Sequence, residues 1–214
     1  MRLYRFLRRG LFAAFVATAL PASALALTAE DSAVLSEISA RLAATQTMNG
    51  EFIQYNPDGK EVQGKFFIAR PGKVRFQYDT TNSLSIIADG KSVLVHDKQL
   101  QTYDIWPLSQ TPLRLLLQSD LNLATSDRVI AASVEPDLVQ VEMVDDAKFG
   151  GGTLTLVFDR ASAELRQWTV TDQRGVQTMV TLYNVEIGNR LAADLFKIDY
   201  NAATNASRDK RLRN

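Results

Sequence analysis

Few residues in this chain could do covalent or metal chemistry. Among its 214 residues there is one histidine, His96, and no cysteine. A Ser-His-Asp arrangement therefore has one possible centre. His96, next to Asp97 at the end of an apolar run, reads as a surface or turn residue. One histidine without cysteine does not make the usual zinc site. Gly150-Gly151-Gly152 lacks the Lys-Ser/Thr of a phosphate loop and precedes a strand-like run, so a mobile or tightly bent hairpin connection is expected. Asp145-Asp146 is expected to be a solvated turn and not a metal clamp. No cofactor, metal or catalytic residue is expected, and the chain does not read as an enzyme. What the sequence does offer is apolar side chains in alternation, as in Phe66 and Ile68, or Val74, Phe76 and Tyr78.

The N-terminus bounds where such a surface would operate. Arg2, Arg5, Arg8 and Arg9 form a basic segment without an acid, followed by the apolar run 11–20 and by Pro21. The run is too short to span a bilayer, which takes about 20 apolar residues. Ala24 and Ala26 make an A-x-A cleavage site, with Ala22 and Ala24 as an alternative, so residues 1–26 are read as a cleaved signal peptide. Arg8-Arg9 also admits the twin-arginine route, although the flanking residues favour general secretion. A bacterial lipoprotein needs a cysteine after its cleavage site, and with none present the mature chain is expected to be periplasmic and without an anchor of its own. Cleavage removes four arginines, leaving 20 basic against 24 acidic residues, a net charge of −4. That balance argues against nucleic acid as a partner. Residues 204–214 form a polar tail, expected to be disordered, that holds the basic cluster Arg208, Lys210, Arg211 and Arg213. It reads as a solvated tail, or as an electrostatic contact for anionic lipid or an acidic partner.

The elements that position the alternating apolar residues follow from periodicity. Residues 28–46 predict a helix, with Thr28 as N-cap, Asp31 at capping-box spacing, and Val34, Leu35, Ile38 and Leu42 on one stripe. Strands are predicted near 48–55, 61–69, 73–79, 84–88, 91–96 and 100–105, then 128–135, 138–144, 152–158, 164–171 and 176–187. Turn chemistry separates them at Asn56-Pro57-Asp58-Gly59, Pro71-Gly72, Asp89-Gly90, Glu135-Pro136-Asp137 and Arg174-Gly175. Short turns between successive strands imply an antiparallel meander, and about 11 twisted strands must curl. Between the two runs of strands, Thr111-Pro112 starts a short leucine-rich helix, with Thr111 as N-cap and Leu113, Leu115, Leu116 and Leu117 apolar around Arg114. Both helices could cover the concave face of the sheet. One domain, 27–203, is expected, as a monomer.

The run from Gly64 through Phe66, Phe67, Arg70-Pro71 and Gly72 to Phe76 and Tyr78 resembles the signature of the outer-membrane lipoprotein carrier family (LolA-type). Phe52-Ile53-Gln54, Asp89-Gly90-Lys91 and Thr111-Pro112 match further family features in the same order, so the resemblance spans about residues 30–200. It departs from well-studied members at Val74, where some carry an aromatic, and after Leu195-Phe196-Lys197-Ile198, where a Pro-Gly pattern is absent. The resemblance implies a mainly β fold: an incomplete, strongly curved antiparallel half-barrel with an α-helical lid. It implies a carrier that takes acylated lipoproteins from an inner-membrane ABC-type releasing complex to an outer-membrane lipoprotein receptor. The receptor has a lipid-modified cysteine, so the cysteine-free chain is placed with the soluble carrier.

Alternation places Gly64, Phe66, Ile68 and Arg70 on one face, and Val74, Phe76 and Tyr78 on one face. These, with Phe52, are assigned to an acyl-chain cavity; ordinary core packing is the alternative. Trp106 and Trp168 are core or rim residues. By the resemblance, Arg70 sits at the cavity mouth and hydrogen-bonds to the lid, a task suited to the five donors of a guanidinium. Read without the resemblance, it is a surface arginine before a turn. Two rival functions remain: a lipid-sensing periplasmic regulatory module on the same scaffold, for which 188 mature residues leave no second domain, and an enzyme.

Overall fold

The computed structural model describes residues 28–79, 84–145 and 151–205. The segment read as a signal peptide, residues 206–214 of the expected tail, Asp146 and Gly150 lie outside the described residues. Thr204 and Asn205, expected in a disordered tail, belong instead to a helix that starts at Tyr200, with the Thr204 hydroxyl donating to the Tyr200 carbonyl at 2.8 Å. Helix α1 spans Ala29–Ala44 and begins with the expected capping box: the Asp31 amide donates to Thr28 Oγ1 at 3.1 Å, and the Thr28 amide donates to Asp31 Oδ2 at 3.0 Å. Val34, Leu35, Ile38 and Leu42 form its buried stripe. No described helix is long and apolar enough to cross a membrane.

Eleven strands follow: β1 (Thr47–Tyr55), β2 (Glu61–Ala69), β3 (Lys73–Tyr78), β4 (Leu84–Asp89), β5 (Ser92–Asp97), β6 (Thr102–Pro107), β7 (Val129–Val134), β8 (Leu138–Asp145), β9 (Gly152–Asp159), β10 (Leu165–Asp172) and β11 (Gln177–Ile187). They form one antiparallel sheet in the order β6-β5-β4-β3-β2-β1-β11-β10-β9-β8-β7. The expected single meander is therefore two meanders, β1–β6 and β7–β11, joined by pairing of the first strand with the last. The sheet stays open between β6 and β7. Residues 108–128 link those two edges, with a 3-10 turn at Leu108–Gln110 and helix α2 at Leu113–Leu117.

Two local expectations need correction. Strand β6 starts at Thr102, not 100, because Asp97 Oδ1 accepts the amides of Gln99 and Leu100, and Gln101 adopts φ 53°, extending the turn by two residues. Thr111 is not the N-cap of α2. Its hydroxyl turns back to donate to the Leu108 carbonyl at 3.0 Å, closing the 3-10 turn, and Pro112 takes the N-cap position.

Curvature has visible causes. The β1–β11 register slips between Asn49 and Glu51. Gly50 lies there, where a Cβ would stand 2.8 and 2.9 Å from the carbonyl oxygens of Asn184 and Tyr183. Any side chain at this bulge would collide with the partner strand. The curl brings Phe76 of β3 and Trp168 of β10 together with ring centroids 5.9 Å apart. Four strand spacings separate those strands, roughly 19 Å in a flat sheet.

Candidate functional site

The concave face is built by cross-strand rows. Phe52, Gly64 and Tyr78 face one another across β1, β2 and β3; Phe66 pairs with Phe76, and Ile68 with Val74. Phe52, Phe66, Ile68 and Val74 are fully buried, and Phe76 and Tyr78 nearly so. Gly64 explains how these aromatics interlock. A Cβ on it would stand 2.7 Å from Tyr78 Cα, so the position stays without a side chain. The rings of Phe52 and Tyr78, two strands apart, close over the gap edge-to-face at 5.1 Å, and Phe76 meets Phe52 at 5.2 Å. Tyr78 donates from its hydroxyl to Gln54 Oε1 at 2.7 Å, and burial raises the phenol above its ordinary pKa. The far half of the sheet contributes Val139, Val141, Met143, Leu154, Leu156 and Phe158 to the same core.

Both helices cover this face. Leu35 and Ile38 of α1, with Leu115, Leu116 and Leu117 of α2, are all 2 % exposed or less and belong to the same apolar cluster. Leu113 is only partly buried. In this conformation the concave side is a packed interior closed by the helices. The two covering segments are tied together where the Leu123 amide donates to Ser39 Oγ at 2.8 Å.

Arg70 lies between helices and sheet and is 8 % exposed. Its Nη1 donates to the carbonyls of Leu42 (3.2 Å) and Thr45 (2.9 Å) at the end of α1, and its Nε donates to Leu116 O in α2 at 3.1 Å. The reading of Arg70 as a surface arginine is thereby excluded. Burial lowers its pKa to about 10, so it remains charged at neutral pH. The negative ends of helix dipoles compensate that charge in place of a carboxylate. Gly72, just past the turn, donates its amide to Leu117 O at 2.9 Å, giving the β2–β3 turn a further bond to α2. A shallow pocket lined by Arg41, Leu42, Met48, Arg70, Glu164 and Ile187 opens beside it.

A second connection reaches the other half of the sheet. Arg114 Nη2 of α2 donates to Asp145 Oδ1 at the end of β8 at 2.6 Å, and the Asp145 side chain is fully buried. The expectation of a solvated turn at Asp145 is therefore wrong: the carboxylate is sequestered as the partner of a covering helix. Sequence reasoning missed this pair, although Arg114 was the one charge in the leucine run, and such a charge inside an apolar segment needs a partner.

His96 also differs from expectation. It lies within β5, partly buried, with its ring stacked on Tyr103 at 4.0 Å; burial, then Lys98, lowers its pKa. Tyr103 packs near Ile87, Leu94 and Ile198, a small cluster on the convex face. There the C-terminal segment crosses the back of the sheet. Arg75 Nη1 donates to Leu195 O at 3.1 Å, and the Tyr200 hydroxyl donates to Asp89 Oδ2 at 2.7 Å. Trp168 is a core residue at 2 % exposure, and Trp106 is half exposed at 50 %.

An open, strongly curled antiparallel sheet with helices closing its apolar concave face defines a half-barrel class of protein. The family model described as outer membrane lipoprotein carrier protein LolA matches residues 43–199, and the chain belongs to that family. It is 28 % identical over 182 residues to an outer-membrane lipoprotein carrier protein of Pseudomonas aeruginosa, covering 80 % of this chain and 86 % of that one. A protein of the same description from Methylococcus capsulatus is 24 % identical over 184 residues, covering 82 % and 88 %. Among solved structures, a LolA superfamily protein from Nitrosomonas europaea aligns with TM-score 0.42 at 10 % identity, covering 79 % of this chain and 98 % of that chain.

Proposed function

We propose that this chain is a periplasmic carrier that solubilises lipoproteins by holding their acyl chains against the concave face of the half-barrel. In this reading residues 1–26 are a signal peptide, 27–203 are the carrier domain, and α1 and α2 are a lid. Phe52, Phe66, Ile68, Val74, Phe76 and Tyr78 meet the acyl chains once the lid moves. Cargo arrives from an inner-membrane ABC-type releasing complex and leaves to an outer-membrane receptor, with no covalent step.

One observation carries the reading: a single buried guanidinium, Arg70, bonds to both covering helices at their carbonyl ends. Those bonds belong to the closed form, so opening the lid must break them. Burying each acyl CH₂ is worth roughly 0.8 kcal/mol. A permanently open cavity would therefore hold several long chains almost irreversibly. A lid that must be displaced lowers net affinity by the cost of opening, which leaves release possible.

Mass spectrometry of what co-purifies from the native periplasm, together with binding of a fluorescent long-chain acyl probe, tests this. Acylated lipoproteins and saturable probe binding are expected. Absence of both, or turnover of a small molecule in their place, would remove the carrier reading.

A further inference from the structure

We infer that the pocket beside Arg70 is a headgroup site for a long-chain carboxylate, whose anionic end takes donors of Arg70 away from α1 and so admits its own alkyl chain. The inference rests on the carrier reading for the path of the chain, and the experiment below separates the two.

Arg70 has five N–H donors, and the closed form uses three of them. Nη1 donates to the carbonyls of Leu42 and Thr45, and Nε to that of Leu116. Nη2 has no hydrogen-bond partner among the described residues, although the residue is only 8 % exposed. No carboxylate among the described residues forms an ion pair with this guanidinium. The pocket lies on the α1 side of it: Leu42 and Thr45, the acceptors of Nη1, line the pocket together with Arg70, and Leu116 does not.

The lining suits an amphiphile with one negative end. Arg41 and Arg70 face a single acid, Glu164, which is already shared by Arg41 at 3.8 Å and Arg166 at 3.6 Å. Most of the remaining wall is apolar: Leu42, Met48, Leu165, Val185 and Ile187. The first three belong to the cluster that fills the concave face, and the other two pack against it. The pocket is therefore the outer end of the interior. Its free volume of about 10 Å³ has room for a water or a carboxylate oxygen, and none for a chain.

A carboxylate that reaches Nη2 has a second donor within its span. Carboxylate and guanidinium favour a fork of two parallel N–H···O bonds, with full charge on both partners, which the carbonyls of a helix end do not supply. From the pocket side the second arm of that fork is Nη1, and α1 must release it. The release leaves little unsatisfied. The Leu42 carbonyl still accepts the Thr45 amide at 3.2 Å, and the Thr45 carbonyl turns to water. Nε continues to hold Leu116 O of α2. Once the end of α1 is free, Leu42 can leave Met48 and Leu165, and the alkyl chain takes its place. Headgroup binding thus detaches one covering helix and spares the other.

Calorimetric titration of the mature protein with decanoate and with decanol, at neutral pH and below the solubility limit of each, tests this. Decanoate is expected to bind at least about tenfold more tightly, the factor for one hydrogen bond to a charged group. Arg70→Gln brings the ratio to about one, while decanol itself binds more tightly because a looser lid costs less to open. Arg70→Lys keeps the charge without the fork and lowers the ratio severalfold. Arg41→Gln lowers it about twofold, as suits an exposed charge. At equal occupancy, decanoate speeds hydrogen exchange at residues 41–46 more than at 113–118, and decanol does not discriminate between them. Equal affinity for the two ligands, binding of neither, or an advantage that survives in Arg70→Gln overturns the headgroup site. Equal affinity with lipoproteins co-purifying leaves the carrier reading standing without it. A preference for decanoate that depends on Arg70, with no lipoprotein co-purifying, keeps the site and removes the carrier reading.

Discussion

The two halves of the sheet hold the same covering helix by different chemistry. On the β1–β6 side, Arg70 of the β2–β3 turn reaches the covering helices, and every acceptor of its guanidinium is a backbone carbonyl. On the β7–β11 side the cation belongs to the covering helix: Arg114 of α2 reaches a buried carboxylate, Asp145. The inner surfaces differ as well. The first half concentrates Phe52, Phe66, Phe76 and Tyr78, whereas the second is largely Val, Leu and Met with Phe158 and Trp168. A carbonyl on a helix that moves away can be taken over by water, whereas Asp145, buried on the sheet, would be left as an uncompensated charge if Arg114 departed. In the proposed carrier reading, the covering helices would move away on the Arg70 side and stay pinned at Asp145.

Breaking the pinned side should have the largest effect. Arg114→Leu is expected to destabilise the fold by about 3 kcal/mol, the low end for breaking a buried ion pair because Arg114 keeps some exposure. Arg114→Leu combined with Asp145→Leu should recover most of that loss. Urea unfolding of both variants checks this, and a double variant no more stable than the single one removes the pin. Arg70→Leu should cost the closed lid about 1.5–3 kcal/mol, the range for hydrogen bonds to a charged group. Faster hydrogen exchange is expected at the end of α1 and in α2, with cargo hand-over to a receptor impaired more than loading. Unaltered exchange and normal transfer would leave the two attachments equivalent.

Smaller effects sharpen the contrast. Gly64→Ala should lose about 1–3 kcal/mol by overpacking, because its Cβ meets Tyr78 backbone and the Phe52–Tyr78 contact. Thermal denaturation and weaker acyl-probe binding would report it. Thr28→Ala, far from either attachment, should cost only about 1 kcal/mol through loss of the α1 cap. The Thr28 amide and then its hydroxyl hold Asp31 below its ordinary pKa. The carboxylate's share of the cap is therefore fully present above the usual carboxylate range and is lost as pH falls through the depressed value, while the bond from the Asp31 amide to Thr28 Oγ1 does not titrate. A pH series of helix content in unaltered and Asp31→Asn protein, with the difference between them vanishing at low pH, checks the sign.

Much of this architecture was legible because it is local. The capping box at Thr28, the turns at Gly59, Gly72, Gly90 and Gly175, and the alternation of Phe66, Ile68, Val74 and Phe76 all follow from near neighbours in sequence. What escaped was long-range or three-dimensional. Pairing of β1 with β11 has no local signature. Asp145 looked like a turn residue because its partner lies 31 positions away in another element. Tyr200 and Asp89 are separated by 111 positions. Thr111 had the residue type of an N-cap, but a preceding 3-10 turn claimed its hydroxyl.

Pairing of the first strand with the last also sets how the chain must fold. Asn49 and Glu186, side-chain neighbours in the β1–β11 pair, are 137 residues apart. Every other strand pairing joins strands consecutive in the chain, so each half-sheet can zip locally while the sheet as a whole waits for its C-terminal strand. Closing so long a loop is the slow step expected of such topologies. Until it happens, β1 and β11 are bare edges open to pairing with other chains. A refolding chain should therefore form strand structure before Trp168 acquires its native environment against Phe76, and dilution should raise the yield of the folded protein.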